Sequence, residues 1–154
     1  MRKELQEKLF QKYPKLFRIK DRKRHFRAIA KFHRDMAKIP FEQKIDILGS
    51  MCEELAMPRG IEIEGDGWYW LLDKLCELIQ LCIDRNRLEQ IEFEQVKEKL
   101  GKLCIYTNYE NKTIDGMIWF ADHLSCSICE CCGSNEGNIT QTAGPLKTLC
   151  VKCR

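Results

Sequence analysis

Cys129-Glu130-Cys131-Cys132-Gly133, together with Cys150-Val151-Lys152-Cys153, is the stretch from which the rest of the chain is read. A C-x-x-C turn aims two thiolates at one point, and a glycine directly after it can take the left-handed conformation that closes such a turn. Seventeen residues separate Cys132 from Cys150, the spacing of a four-cysteine structural zinc site. The pattern predicts a zinc ribbon over residues 126–154 with one structural Zn2+ on Cys129, Cys132, Cys150 and Cys153. Cys126-x-x-Cys129 is an alternative first knuckle. The 129/132 pair is preferred because it alone is followed by glycine, and because Cys126 ends an apolar helical pattern. Cys131 is then a spare thiol, and His123 a less favoured replacement ligand. A closed four-thiolate site has no open position for water, which argues against zinc catalysis. Its role is energetic, since structural zinc supplies roughly 10–16 kcal/mol of apparent binding free energy to a module too small for its own core.

The remaining cysteines fit this reading. Six of the ten lie at 126, 129, 131, 132, 150 and 153, while Cys52, Cys76, Cys82 and Cys104 are scattered through apolar segments. A secreted disulfide scaffold would spread them over its loops. The charged, amphipathic first residues do not read as a signal peptide, and no stretch reaches the ~18 apolar residues of a membrane span. The expectation is a reducing cytoplasm and no membrane partner.

Charge is divided unevenly along the 154 residues. Residues 1–40 carry 14 Lys/Arg against 4 Asp/Glu, a net +10, and residues 41–154 carry 12 against 19, a net −7. A basic arm on an acidic body implies an anionic partner, or docking of the arm on the body, or a solvated helix face.

Before the ribbon the sequence alternates between helical and extended patterns. Leu5, Leu9, Phe10 and Tyr13 predict a helix over 2–13 that Pro14 interrupts. A second helix is expected from Asp21 to Lys38, with Phe26, Ile29, Ala30, His33 and Ala37 inward. Its remaining surface is crowded by Arg22, Lys23, Arg24, Arg27, Lys31 and Arg34. These six are the candidate nucleic-acid-binding residues, because they form one broad phosphate-tracking surface. His25 and His33 read as ordinary surface or boundary residues. Pro40 opens a third helix to about Ala56, on whose apolar stripe Cys52 is a small hydrophobe.

Ile61 and Ile63, alternating with acids, suit a short extended segment. Asp66 reads as the N-cap of a central helix over 67–84, whose wide apolar face is Trp68, Leu71, Leu72, Leu75, Leu78, Ile79, Cys82 and Ile83. Residues 92–99 and 102–108 predict a β-hairpin about Leu100-Gly101, although Glu94–Leu100 could also continue a helix. A last helix runs from about Thr113 to Ser125, with Ile114, Met117, Ile118, Ala121 and Leu124 inward. The fold class is therefore α+β. It is divided into a basic helical region 1–58, an α+β core 59–125 and the ribbon 126–154.

The residues also suggest two other chemistries. Gly65-Asp66-Gly67 could approach a phosphate, but nothing after it resembles a nucleotide-binding pattern, and a helix cap is more economical. Glu62, Glu64 and Asp66 could form a carboxylate metal site, but an alternating solvated strand edge explains them better.

The order Gly65-Asp66-Gly67-Trp68-Tyr69, Gln95-Val96-Lys97-Glu98-Lys99-Leu100-Gly101, Cys129-x-x-Cys132-Gly133 and Thr148-Leu149-Cys150-x-x-Cys153 resembles a group of small bacteriophage and prophage proteins. The likeness covers about residues 60–154. It departs at Cys104, where a basic residue is expected, and in Cys126 and Cys131. The resemblance implies an accessory phage protein in the host cytoplasm. The expected function is non-enzymatic binding of nucleic acid or nucleoprotein. An inhibitor that binds a host protein is the alternative, and a metal-dependent enzyme the least favoured reading.

Overall fold

In the computed structural model the chain divides into two units, Met1–Arg18 with Arg59–Arg154, and Ile19–Pro58. The structure describes residues 1–17, 34, 37, 38, 61–143 and 146–154. The helices expected over 21–38 and 40–56 lie outside the described residues, apart from Arg34, Ala37 and Lys38.

The first unit runs α1 (Lys3–Lys12), β1 (Ile61–Glu62), α2 (Tyr69–Asn86), β2 (Phe93–Lys99), β3 (Lys102–Thr107), α3 (Lys112–Ser125), β4 (Thr140–Gln141) and β5 (Thr148–Leu149). It is α+β, with a three-stranded sheet in the order β1-β2-β3 and a small β4-β5 sheet beside it.

Helix α1 ends at Tyr13, just before Pro14, which has no N–H with which to continue it. Beyond the proline, Leu16 and Phe17 turn back into the core. Phe17 meets Phe10 at 5.1 Å and the edge of Phe93 at 5.2 Å between ring centroids. The Phe93 N–H donates to the Leu16 carbonyl at 2.8 Å. The N-terminal segment is thus tied to the entrance of β2 by both backbone and aromatic packing.

Helix α2 is the centre of the core. Leu71, Leu72, Leu75, Cys76, Ile79, Cys82 and Ile83 are buried along it, with Trp68 just before its first turn. Leu78, expected inward, is instead 49% exposed. It lies about 100° round the helix from its buried neighbour Ile79, outside the packed stripe. The helix ends at Arg87 in the left-handed region (φ 53°), where the N–H groups of Arg87 and Leu88 both reach the Ile83 carbonyl.

Asp66 is not the cap of this helix. The N-cap is Trp68, with no side-chain hydrogen bond, and the Asp66 carboxylate accepts instead from the backbone N–H and guanidinium of Arg2.

The hairpin forms as expected, closed by Leu100 (φ 54°) and Gly101 (φ 76°). Positive φ at both positions matches the right-handed twist of the strands. An irregularity between Phe93 and Gln95 shifts the register. This bulge lets Phe93 and Val96, three residues apart, both face the core, against the simple alternation of a strand. Residues 61–62 pair in parallel with Val96 and Lys97, adding a third strand to the hairpin. Helix α3 starts at Asn111, whose side chain accepts from the N–H groups of Thr113 and Ile114, and packs on β3 and α2.

Candidate metal centre

The four C-terminal cysteines come together at the meeting point of two knuckles. After α3, three successive tight turns carry the chain to Cys129. The first knuckle is closed by the Gly133 N–H on the Cys129 carbonyl at 2.8 Å and the Cys129 N–H on the Ser134 carbonyl at 2.8 Å. Gly133 sits at φ 79°, the left-handed conformation that its place after C-x-x-C demands. Strands β4 and β5 return the chain, and the second knuckle closes through the Cys153 N–H on the Cys150 carbonyl at 3.0 Å.

The thiol sulfurs of Cys129, Cys132, Cys150 and Cys153 all lie within 4.8 Å of one another. Cys132 Sγ and Cys150 Sγ are 3.7 Å apart. Four sulfurs placed about 2.3 Å from a central ion have tetrahedral edges of about 3.8 Å, whereas a disulfide requires about 2.05 Å. The observed separation therefore suits two ligands of one ion and not a bond between them.

The electrostatics agree with that geometry. Burial opposes ionisation of Cys129, but backbone N–H groups of Cys132, Cys150 and Cys131 outweigh it and bring its pKa down to about 7. The Cys153 thiol is pushed up, first by Cys132 and Cys150 and then by burial. For Cys132 the Ser134 backbone favours the thiolate, yet the contact with Cys129 and burial carry its pKa upward. One thiolate forms readily and the next ones are resisted. A bound cation removes that resistance, because metal binding displaces the protons of its thiol ligands. The four cysteines can thus hold a single metal ion. Among the described residues they are the only such group of three or more His, Cys, Asp or Glu side chains.

Other ligand candidates are engaged elsewhere. Cys126 is the C-cap of α3, with its Sγ 3.7 Å from the Asp122 carbonyl, and does not join the cluster. His123 contacts the Trp119 carbonyl through Nδ1 at 3.0 Å and packs on the Trp119 ring. Cys131 is exposed, and Cys52 lies outside the described residues. The trio Glu62, Glu64 and Asp66 forms no carboxylate site, since each side chain has its own partner: Gln95, Lys147 and Arg2 respectively.

Sequence reasoning missed how the first knuckle is seated. Gly65-Asp66-Gly67-Trp68, which ends on the N-cap of α2, is also a cradle for the knuckle backbone. The Gly67 N–H donates to the Glu130 carbonyl at 2.9 Å, and Trp68 Nε1 donates to the Ile128 carbonyl at 2.9 Å. A Cβ at Gly65 would lie 2.1 Å from the Glu130 carbonyl oxygen, and one at Gly67 would lie 2.0 Å from that of Cys129. Only glycine allows two backbones to approach so closely. The hairpin turn grips the other side: Thr148 Oγ1 donates to the Gly101 carbonyl, and Gln141 Nε2 donates to that of Leu100 at 3.0 Å. The signal available in the sequence was the pair of glycines immediately before a tryptophan.

Of the predicted nucleic-acid-binding residues, Arg22, Lys23, Arg24, Arg27 and Lys31 lie outside the described residues, and Arg34 is exposed. Three other bases of the N-terminal arm face carboxylates of the body: Arg2 with Asp66, Lys12 with Asp73 at 2.8 Å, and Lys15 with Asp84 at 3.8 Å. Lys147 pairs with Glu64, with the buried Glu130 carboxylate 4.0 Å away. Among the described residues no helix is long and apolar enough to cross a membrane. No family model, curated protein or solved structure matches the chain.

Proposed function

We propose that Cys129, Cys132, Cys150 and Cys153 hold one structural zinc ion, and that the chain is a non-enzymatic accessory protein acting by macromolecular binding. The observation that carries the metal assignment is the convergence of four thiols, with a Cys132–Cys150 separation that suits a tetrahedral edge. Zinc is the ion of choice because it favours four thiolates without a redox role. The ion would fasten the knuckles to the Gly65–Trp68 cradle and leave no coordination position for a substrate. Metal analysis tests this directly: one zinc per chain is expected, and fewer than half a zinc after expression in zinc-supplied medium would overturn it.

Nucleic acid or nucleoprotein is the proposed partner, bound through the basic 1–40 region. What supports it is the net +10 of that region against the net −7 of the remainder. Arg2, Lys12 and Lys15 are partly engaged with carboxylates, and the proposed phosphate contacts are Arg22, Lys23, Arg24, Arg27, Lys31 and Arg34. Binding to DNA or RNA should weaken with salt, with a log–log slope of about 0.7–0.9 per phosphate neutralised. Absence of binding at low salt sinks the reading, as does undiminished binding after neutralising Arg22, Lys23, Arg24 and Arg27. The resemblance to small phage proteins supports an origin in phage and action in the host cytoplasm.

A host-protein partner is the second reading. It is favoured by Trp119 and Phe120 on α3, which are 64% and 65% exposed. Large aromatics left in water on a helix are common anchors at protein interfaces. A stable complex that survives nuclease treatment would distinguish it from the first reading.

A further inference from the structure

The outer edge of β3, whose Leu103 N–H is held by α3, and the neighbouring surface of α3 line a groove of about 490 Å3, within the roughly 300–1,000 Å3 range of ligand clefts. Consecutive residues of a strand point to opposite faces. A groove lined by Lys102, Leu103, Cys104 and Ile105 in turn therefore follows the edge of the strand and not one face of the sheet. Among the described residues β3 is an outer strand.

The register says which backbone groups point into the groove. In a two-residue hairpin the pair flanking the turn, here Lys99 and Lys102, exchanges ladder hydrogen bonds, and the pairs then alternate. The Glu98–Leu103 and Val96–Ile105 pairs are the ones without ladder bonds, so the N–H and C=O groups of Leu103 and Ile105 point away from β2. Leu103 obeys this: its N–H leaves the sheet to reach Ser125 Oγ at 3.0 Å. The edge at Ile105 offers the next donor and acceptor along the groove.

The opposite wall supplies an apolar surface and a charge. Ile118 and the exposed Trp119 line it with Asp115 and Asp122, so the anionic charge lies on this helix wall while Lys99 and Lys102 lie on the strand side. Asp122 Oδ1 is buried and has no hydrogen-bond partner. A carboxylate oxygen withdrawn from water without a donor is costly to leave so, and a cationic side chain is its natural complement. We infer that this groove binds an extended peptide segment of a partner protein, added as a fourth strand at β3. Apolar side chains at alternate positions cover Ile118 and Trp119, and one Lys or Arg reaches Asp122.

This inference rests on the protein-partner reading and is independent of the basic 1–40 region. The test is a displayed library of random decapeptides selected on the metal-loaded full chain, followed by titration of a synthetic peptide carrying the enriched pattern. An alternating apolar pattern with one basic residue is expected. Asp122→Asn and Trp119→Ala should each weaken that peptide by about tenfold or more, with both variants keeping the wild-type amide spectrum. Hydrogen exchange at the Ile105 amide should slow when the peptide binds. Failure to enrich any pattern overturns the inference. Binding that neither variant weakens also overturns it, while the protein-partner reading survives at another surface. A concentration-dependent dimer that protects the Ile105 amide without peptide would make a second copy the occupant and likewise overturn it.

Discussion

Cys76 and Cys129 are both fully buried, and their thiols are driven in opposite directions. Around Cys76 on α2, burial dominates and pushes ionisation well above the ordinary thiol range, with the nearby Asp73 adding to it. Around Cys129, burial pulls the same way, but three backbone N–H groups aim at the sulfur and the balance reverses, to about 7. Withdrawal from water alone therefore does not decide what a thiol does. A helix spends its N–H groups on its own carbonyls, so the Cys76 sulfur feels only a small pull from its own N–H, the least of the causes acting on it. A knuckle turn leaves several N–H groups unspent and points them inward. The first setting suits a small hydrophobe, the second a thiol able to bind a metal.

The comparison breaks most sharply on removal of the proposed metal. If the four cysteines hold zinc as proposed, Cys150→Ser or a strong chelator should unfold the ribbon, because structural zinc supplies roughly 10–16 kcal/mol to a module of this kind. Through Gly67 and Trp68 the loss should also lower the thermal midpoint of the core. An unchanged melting curve after chelation would refute the site. Cys76→Ala, by contrast, should cost only about 1–2 kcal/mol and leave metal content intact.

Gly67→Ala comes next in size. Its Cβ would fall 2.0 Å from the Cys129 carbonyl oxygen, so the knuckle must lift from its cradle. A loss above about 3 kcal/mol is expected, together with weaker metal retention in a chelator competition. Gly116→Ala is the matched control. That glycine lies in α3 with open space around it, and the change should stabilise by about 0.5–1 kcal/mol.

Trp68→Phe keeps an aromatic ring in the core but opens a small cavity and strands the Ile128 carbonyl, and should cost about 1–3 kcal/mol in denaturant titrations. The smallest effect belongs to the surface pair of Arg2 and Asp66. Asp66→Asn should cost less than about 1 kcal/mol. The Arg2 backbone N–H first, and its guanidinium next, hold the Asp66 carboxyl below its ordinary value. That contribution is fully present above the unfolded carboxylate pKa of about 3.9 and is lost as pH falls through the lowered folded value. The stability difference between Asp66→Asn and wild type should therefore close in acid.

Much of this protein was legible in local pattern. Helical spacing placed α1, α2 and α3 to within a residue or two, since an amphipathic stripe reports its own period. Leu100-Gly101 marked the hairpin. Two C-x-x-C pairs marked the four thiols that converge, because the knuckle's geometry is set by the residues between the cysteines and the glycine after them. What the tertiary structure alone decided was relational. Asp66 had the look of a cap until Arg2, distant in sequence, claimed its carboxylate. Leu78 fitted the apolar stripe until packing drew the boundary beside it. Cys126 fitted a C-x-x-C until the end of α3 turned it away from the other sulfurs. The ribbon read as a division of its own, yet Gly65 and Gly67 hold its knuckle against the backbone at the start of α2. No local pattern reports such contacts, because a glycine's missing side chain acquires meaning only when a second backbone fills the space it leaves.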